Sequence, residues 1–264
     1  MMTRHLHALL APRSVAVFGA SDRPQRDGTS IWNRLAAEFK GTLHAVNPRL
    51  RQLGTHKVWH SVAELPQTPD LAVICTPAAT VPSLIGALGA RGCKAAVVVS
   101  TGLSAAQKRA MLAAAQPYAL RILGPDCTGL LVPHLGLNTS LAQVSAQPGS
   151  VAFVSQSAAL VTAMMDWASS RQIGFSHFIS LGEHADVDFA DVLDYLASDA
   201  RTRAIMLYVE TLDAPRKFLS AATRAADKNL RGAQQTADRG QGRALGPGPA
   251  GRLHPQRGAS SVST

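Results

Sequence analysis

The chain has 264 residues, of which 46% are hydrophobic, 16% charged and 5% aromatic, and its 26 basic and 17 acidic residues give a formal charge of +9. That length holds one large domain or two ordinary ones, and no apolar run reaches the ~18–20 residues of a transmembrane helix. The start, Met1 to Arg13, lacks the long apolar stretch and small-residue cleavage site of a signal peptide. Cys75, Cys93 and Cys127 are odd in number and far apart, which argues against a zinc knuckle or a disulfide framework and fits a reducing cytoplasm.

In chain order, Ser14 to Phe18 reads as a strand ending in Gly19-Ala20-Ser21, and Ile31 to Phe39 has helical spacing. Thr42 to Val46 and Leu71 to Cys75 read as strands that run into Asn47-Pro48 and Thr76-Pro77. Val81 to Ala90 reads as a helix and Ala95 to Val99 as a strand. Ala105 to Ala115 reads as a helix and Arg121 to Leu123 as a strand. Strands apolar on both faces, alternating with helices, mean right-handed crossovers and a parallel sheet covered on both sides.

Leu130 to Pro148 has no clear period and marks the expected domain junction. A second series follows: strands at 151–154, 176–180 and 204–209, and helices at 158–171, 189–197 and 215–227. With only three strands recognised, this second sheet is expected to be short and to leave an edge open. The expected domains are 8–145 and 148–228, with 229–264 as a disordered tail. From 231 onward the chain contains no Ile, Met, Phe, Tyr or Trp to bury. Five arginines and one aspartate in that tail account for +4 of the charge. The remaining +5 weakens the nucleic-acid partner that the pI of about 10.1 suggests.

Open α/β sheets bind ligands beyond the carboxyl ends of their strands. The loops there are small and mostly uncharged, so a ligand can approach their backbone; ordinary turn chemistry explains each one singly. The dinucleotide pattern G-x-G-x-x-G is absent, and Asn47-Pro48-Arg49 stands where an acid would hold the ribose of NAD. Arg49 and Arg51 could face a phosphate, as in NADP or coenzyme A. In the second series, Ser155-Gln156-Ser157 precedes a helix whose N-terminus can hold an anion; a plain N-cap is the alternative. Asp186 and Asp188 suit the acidic first turn of a helix. His184 among these carboxylates invites a metal or acid–base reading, and Glu210 closes an apolar strand.

These segments, in order, are V-A-V-F-G-A-S (15–21), A-V-N-P (45–48), C-T-P-A (75–78), G-P-D-C-T-G (124–129), S-Q-S-A-A-L (155–160), G-E-H-A-D-V-D-F (182–189) and Y-V-E (208–210). Together they resemble the NDP-forming acyl-CoA synthetases, which include the α subunit of succinyl-CoA synthetase. The nearest branch by resemblance is that of bacterial lysine acetyltransferases fused to a GNAT domain. The resemblance implies a Rossmann-like CoA-binding domain and then an incomplete flavodoxin-like domain. It implies that Gly19, Ala20, Ser21, Gly28, Asn47, Pro48, Thr76, Pro77, Ala78, Thr101 and Gly102 surround CoA or acetyl-CoA. It also implies that Ser155, Gln156 and Ser157 bind phosphate and that Glu210 orients a phosphohistidine. No metal is implied. ATP or ADP belongs to the complete parent enzyme, and the implied partner is an ATP-grasp subunit or a second copy.

The sequence departs from that family at Asp126, where Asn is usual, and at Ala158, where Gly is usual. After the last helix the family continues with K-P-x-I-V-V-K-x-G-R and an S-H-T-G-A-L segment that carries the phosphorylated histidine. Residues 229–264 match neither, and His254 sits in an unrelated context. Codons that encode 236–244 can be chosen whose shifted frame reads Pro-Leu-Ile-Val-Val-Lys-Ala-Gly-Arg, so a frameshift is the expectation. It makes the chain a truncated fragment that binds CoA and does not turn over alone. The alternatives are a CoA-sensing regulatory module, a split synthetase subunit and an NADP-dependent oxidoreductase.

Overall fold

The computed structural model describes residues 5–141 and 145–227. The expected tail and the frameshift segment lie outside the described residues. The first sheet contains β1 (Ser14–Phe18), β2 (Thr42–Val46), β3 (Gln52–Leu53), β4 (His56–Trp59), β5 (Leu71–Ile74), β6 (Ala95–Val98) and β7 (Arg121–Leu123). Their order is β3-β4-β2-β1-β5-β6-β7, and every pair except β3–β4 is parallel.

Side-chain alternation explains the two-sided cover. Val15, Val17, Leu71 and Val73 point to one face, with α1 (Leu6–Leu10) and α2 (Asp27–Glu38) packed on it. Ala16, Phe18, Ala72 and Ile74 point to the other, beneath α3 (Val81–Ala90) and α4 (Ala105–Ala115). Ser104 caps α4 in a reciprocal capping box with Gln107. Helix α2 starts four residues earlier than its apolar spacing indicates. Its first turn, Asp-Gly-Thr-Ser, gives no apolar signal and is fixed by the bonds of Thr29 to Arg23 and Arg26.

The second sheet has five strands, against the three expected. They are β8 (Leu130–Val132), β9 (Leu137–Asn138), β10 (Pro148–Ser155), β11 (Phe175–Ser180) and β12 (Ala204–Tyr208), in the order β12-β10-β11-β8-β9. β10 runs parallel to β11 and β12, whereas β8 pairs antiparallel with β11, Leu131 opposite Phe178. Residues 130–138, expected to form the junction, therefore pair with the second sheet. α5 (Ala158–Ser170) covers one face beside Phe153 and Phe178. α6 (Phe189–Ser198) and helical residues 215–227 lie against Ile205 and Leu207 on the other. Among the described residues β12 pairs only with β10, and Met206 and Tyr208 are exposed. One apolar cluster runs from Val15, Val17 and Leu71 to Val154, Ile179 and Phe189, so the two sheets share a core. No helix among the described residues is long and apolar enough to cross a membrane.

Candidate functional site

In the first sheet, β1 lies between β2 and β5, so the chain crosses from one side of β1 to the other after β2 and β4. Loops leave in opposite directions there and open a crevice. A cavity of about 890 Å³ occupies it. Its floor is backbone: Gly19 N–H donates to Val46 O at 2.9 Å, and Cys75 N–H to Phe18 O at 2.9 Å. Gly19 has φ +89°, and a Cβ there would lie 2.7 Å from Cys75 O. A Cβ on Gly28 would lie 2.0 Å from Gly19 O, so only glycine lets α2 sit this close to the loop.

The structure brings Gly19, Ser21, Gly28, Asn47, Pro48, Thr76 and Pro77 of the expected set onto this cavity. Ala20, Ala78, Thr101 and Gly102 are not among its lining residues. Ala20 is fully buried beneath the loop. Thr101 and Gly102 follow β6, one strand further from the crevice. Asn47 braces its neighbours, because Nδ2 donates to Ala20 O at 2.8 Å and Oδ1 accepts from Arg49 N at 2.9 Å. An asparagine engaged in this way is not the acid that would hold an NAD ribose.

The sequence reading missed Arg23 and Arg26, which line the cavity from the long loop before α2. It also missed His60, Ser61 and Val62, which arrive at the end of the unrecognised strand β4. Arg49 lines the cavity, and Arg51 does not. Three arginines against Asp22 and Asp27, with apolar Phe18, Val46, Leu50 and Leu84, suit an elongated ligand with phosphate groups and an apolar base. Cys75 also lines the cavity, but burial first, then Asp27 and Cys127, push its thiol well above its ordinary range. It is not a thiolate nucleophile at neutral pH.

A second cluster lies at the carboxyl ends of β10, β11 and β12, where Ser155 pairs with both Ser180 and Tyr208. The three side chains expected to bind phosphate are engaged internally. Ser155 Oγ is fully buried, accepting from Ser157 N at 3.0 Å and donating to Ser157 O at 3.1 Å. Ser157 Oγ caps α5 by accepting from Leu160 N at 3.3 Å. Gln156 Oε1 accepts from Glu210 N at 2.6 Å and Thr211 N at 3.1 Å, while Nε2 donates to Thr211 O at 3.2 Å. What this loop offers an anion is the first-turn N–H groups of α5. Glu210 is exposed at the same edge, tied there by Gln156.

The aspartates of the 182–188 loop hold the fold together, although neither lies in the first turn of α6, where Asp191 is the acid. Asp188 caps α6 in a capping box with Asp191, and both accept from Lys217. Asp186 accepts from Arg121 and from Ile122 N. His184 Nε2 lies 3.3 Å from Asp213 Oδ2 and 3.2 Å from Gln156 Nε2. The adjoining cavity of about 180 Å³ is lined by His184 and by Asp186, Asp188 and Asp213, of which Asp186 is paired with Arg121 and Asp188 with Lys217. Among the described residues no group of three or more His, Cys, Asp or Glu is placed to hold a metal ion.

This architecture defines a CoA-binding Rossmann-like domain followed by a flavodoxin-like domain. Residues 13–133 match the family model of the CoA binding domain, and residues 148–230 that of the succinyl-CoA ligase like flavodoxin domain. The chain is 34% identical over 227 residues to an ADP-forming acetate–CoA ligase I of Archaeoglobus fulgidus, covering 84% of this chain and 33% of the relative. It is 35% identical over 223 residues to the α subunit of the ADP-forming acetate–CoA ligase II of Pyrococcus furiosus, covering 82% of this chain and 49% of that subunit. It superimposes on the dinucleotide-forming acetyl-coenzyme A synthetase 1 of Ca. Korarchaeum cryptofilum, solved in complex with phosphate and ADP, with a TM-score of 0.80 and 34% identity. That match covers 83% of this chain and 49% of the solved one. The chain carries the CoA-binding and succinyl-CoA ligase-like domains and is homologous to the α-subunit region of the NDP-forming acetyl-CoA synthetases. It spans a third to a half of the length of these relatives.

Proposed function

We propose that this chain is the CoA-binding part of an acyl-CoA synthetase of the NDP-forming type. It holds CoA or acetyl-CoA in the cavity beyond β1, β2 and β5 and works with a nucleotide-binding ATP-grasp partner. The observation that carries this reading is the cavity itself, with its glycine floor, apolar walls and three arginines. The backbone at Gly19 takes the close approach, and Arg23, Arg26 and Arg49 face the phosphates. The first turn of α5 and Glu210 then form the phosphate-handling edge, with Ser155, Gln156 and Ser157 shaping the loop by their internal bonds. CoA, when bound, supplies the thiol that accepts the acyl group.

The relatives named above are ligases, which favours synthetase chemistry over the acetyltransferase branch suggested by resemblance. A CoA-sensing module is the second reading, supported by the same cavity. Calorimetric titration of the chain with CoA, acetyl-CoA and NADP tests the proposal. CoA and acetyl-CoA are expected to bind and NADP to fail; the reverse order would restore the oxidoreductase reading. Copurification with an ATP-grasp subunit and recovery of acyl-CoA synthesis on mixing would separate the synthetase from the sensor.

A further inference from the structure

One side of β12 is bare. The strand pairs with β10 and, among the described residues, with no other strand. Tyr208 O accepts from Gln156 N at 3.3 Å, so Tyr208 turns its backbone groups toward β10. Backbone direction alternates along a strand, which sends the N–H and C=O of Ile205 and Leu207 outward to the open edge. None of the usual guards against edge pairing stands there: Ala204 to Val209 include no charge, proline or glycine. The adjoining face is apolar. Met206 pairs with Phe153 and shares its face of the sheet, the one that α5 covers, yet Met206 and Tyr208 remain 44% and 41% exposed. α5 joins β10 to β11 by a right-handed crossover, which turns its flank of Leu160, Met164 and Trp167 toward β12. Trp167 is 47% exposed. An unguarded edge beside an apolar face is a pairing site.

We propose that β12 is the seam of a homodimer, in which two copies of the chain pair antiparallel about a two-fold axis through Met206. The strand is self-complementary in that register. Met206 meets Met206 of the second copy, and Ala204, the smallest residue of the strand, meets Tyr208 of the second copy, the largest. Ile205 and Leu207, whose backbone groups point outward, form hydrogen-bonded pairs across the axis, so both open edges are satisfied at once. Arg203 falls opposite Val209 of the second copy, one residue from its Glu210, which sets a cation beside a carboxylate at each end of the seam. A slip of one residue would bring opposite faces together, and the apolar face holds the register against it. Ala204, Met206 and Tyr208 of both copies then make one apolar surface between the two Trp167 flanks. Residues 231–264 carry no Ile, Met, Phe, Tyr or Trp to lay on that surface, so a second copy fits it better than the remainder of the chain.

Sedimentation velocity of the full chain from about 1 to about 100 μM reads the association. The wild type is expected to pass from monomer to dimer within that range. Met206→Lys sets two ammonium groups face to face on the axis and is expected to raise the midpoint at least roughly tenfold. Two cysteine variants read the register. Opposed Cα atoms at a non-hydrogen-bonded position lie about 4.5 Å apart, inside disulfide range. Copper-catalysed oxidation by dissolved oxygen is therefore expected to link Met206→Cys into a covalent dimer. It should leave Val209→Cys unlinked, because its two copies lie about 20 Å apart along the pair. Thermal melts check the fold of the lysine variant, and the cysteine variants test the register without it. A wild type that stays monomeric to about 100 μM overturns the inference and leaves the edge to residues 228–264 or to another protein. A dimer that Met206→Lys leaves intact, or cross-linking at 209 in place of 206, puts the contact elsewhere and overturns it as well. None of these readouts uses CoA, so the dimer stands or falls separately from the CoA site.

Discussion

His177 makes the fold sensitive to acid in a way that can be calculated and tested. It sits on β11 with a side chain 2% exposed, and its Nδ1 has no hydrogen-bond partner. The Asp199 carboxylate is 3.8 Å away, too far for a hydrogen bond, and the rings of His134 and Tyr195 meet it edge-on. Burial pushes its pKa down to about 4; Asp199 opposes that shift, and His134 and Arg201 add to it. In the unfolded chain the imidazole titrates near 6.5, so the unfolded state binds more protons between the two values. The contribution of neutral His177 is therefore fully present above about pH 6.5 and is lost as pH falls toward about 4. A shift of this size corresponds to roughly 3 kcal/mol. Urea unfolding at a series of pH values, for the wild type and for His177→Leu, isolates it. The wild type is expected to lose up to about 3 kcal/mol more than the variant across that window. Equal slopes for the two proteins would show that the ring is protonated in the folded state and refute the reasoning.

Other perturbations have equally definite outcomes. Gly28→Ala forces a Cβ against Gly19 O, so CoA affinity is expected to drop more than about tenfold and the melting temperature to fall, read by calorimetry and thermal denaturation. Gln156→Ala removes the acceptor for Glu210 N and Thr211 N and is expected to cost about 2 kcal/mol and open the 210–213 loop to limited proteolysis. Arg121→Met leaves Asp191, 3% exposed, with Lys217 as its remaining cation and is expected to destabilise by about 3 kcal/mol in urea titration.

The parts of the fold legible in the sequence are those where local chemistry and tertiary demand agree. β1, β5 and β6 are buried at every position, so their unbroken apolar runs announce a sheet covered on both faces. The β3–β4 hairpin escaped notice because only Leu53 and Val58 of its six residues are buried. β8 escaped because the partner that joins it to the sheet, β11, lies over forty residues away at Phe178 and Ile179, and its local partner β9 is only two residues long. The same division holds at the site. Glycine and proline at the ends of β1, β2 and β5 mark the cavity directly. Thr101 and Gly102 carry the same signature at the end of β6, one strand further from the cavity, and strand order alone tells the two positions apart. Ser155, Gln156 and Ser157 have the residue types of a phosphate loop, yet their side chains are engaged with backbone, which composition cannot reveal.

The central claim is that the crevice beside β1 holds CoA. The most direct measurement is the CoA affinity of the wild-type chain beside that of Thr76→Trp, whose indole would fill the cavity from its rim without entering the core. Saturable binding at or below millimolar CoA, abolished in a Thr76→Trp protein that melts like the wild type, is the expected result. No binding at millimolar CoA, or binding that the tryptophan leaves unchanged, would contradict it.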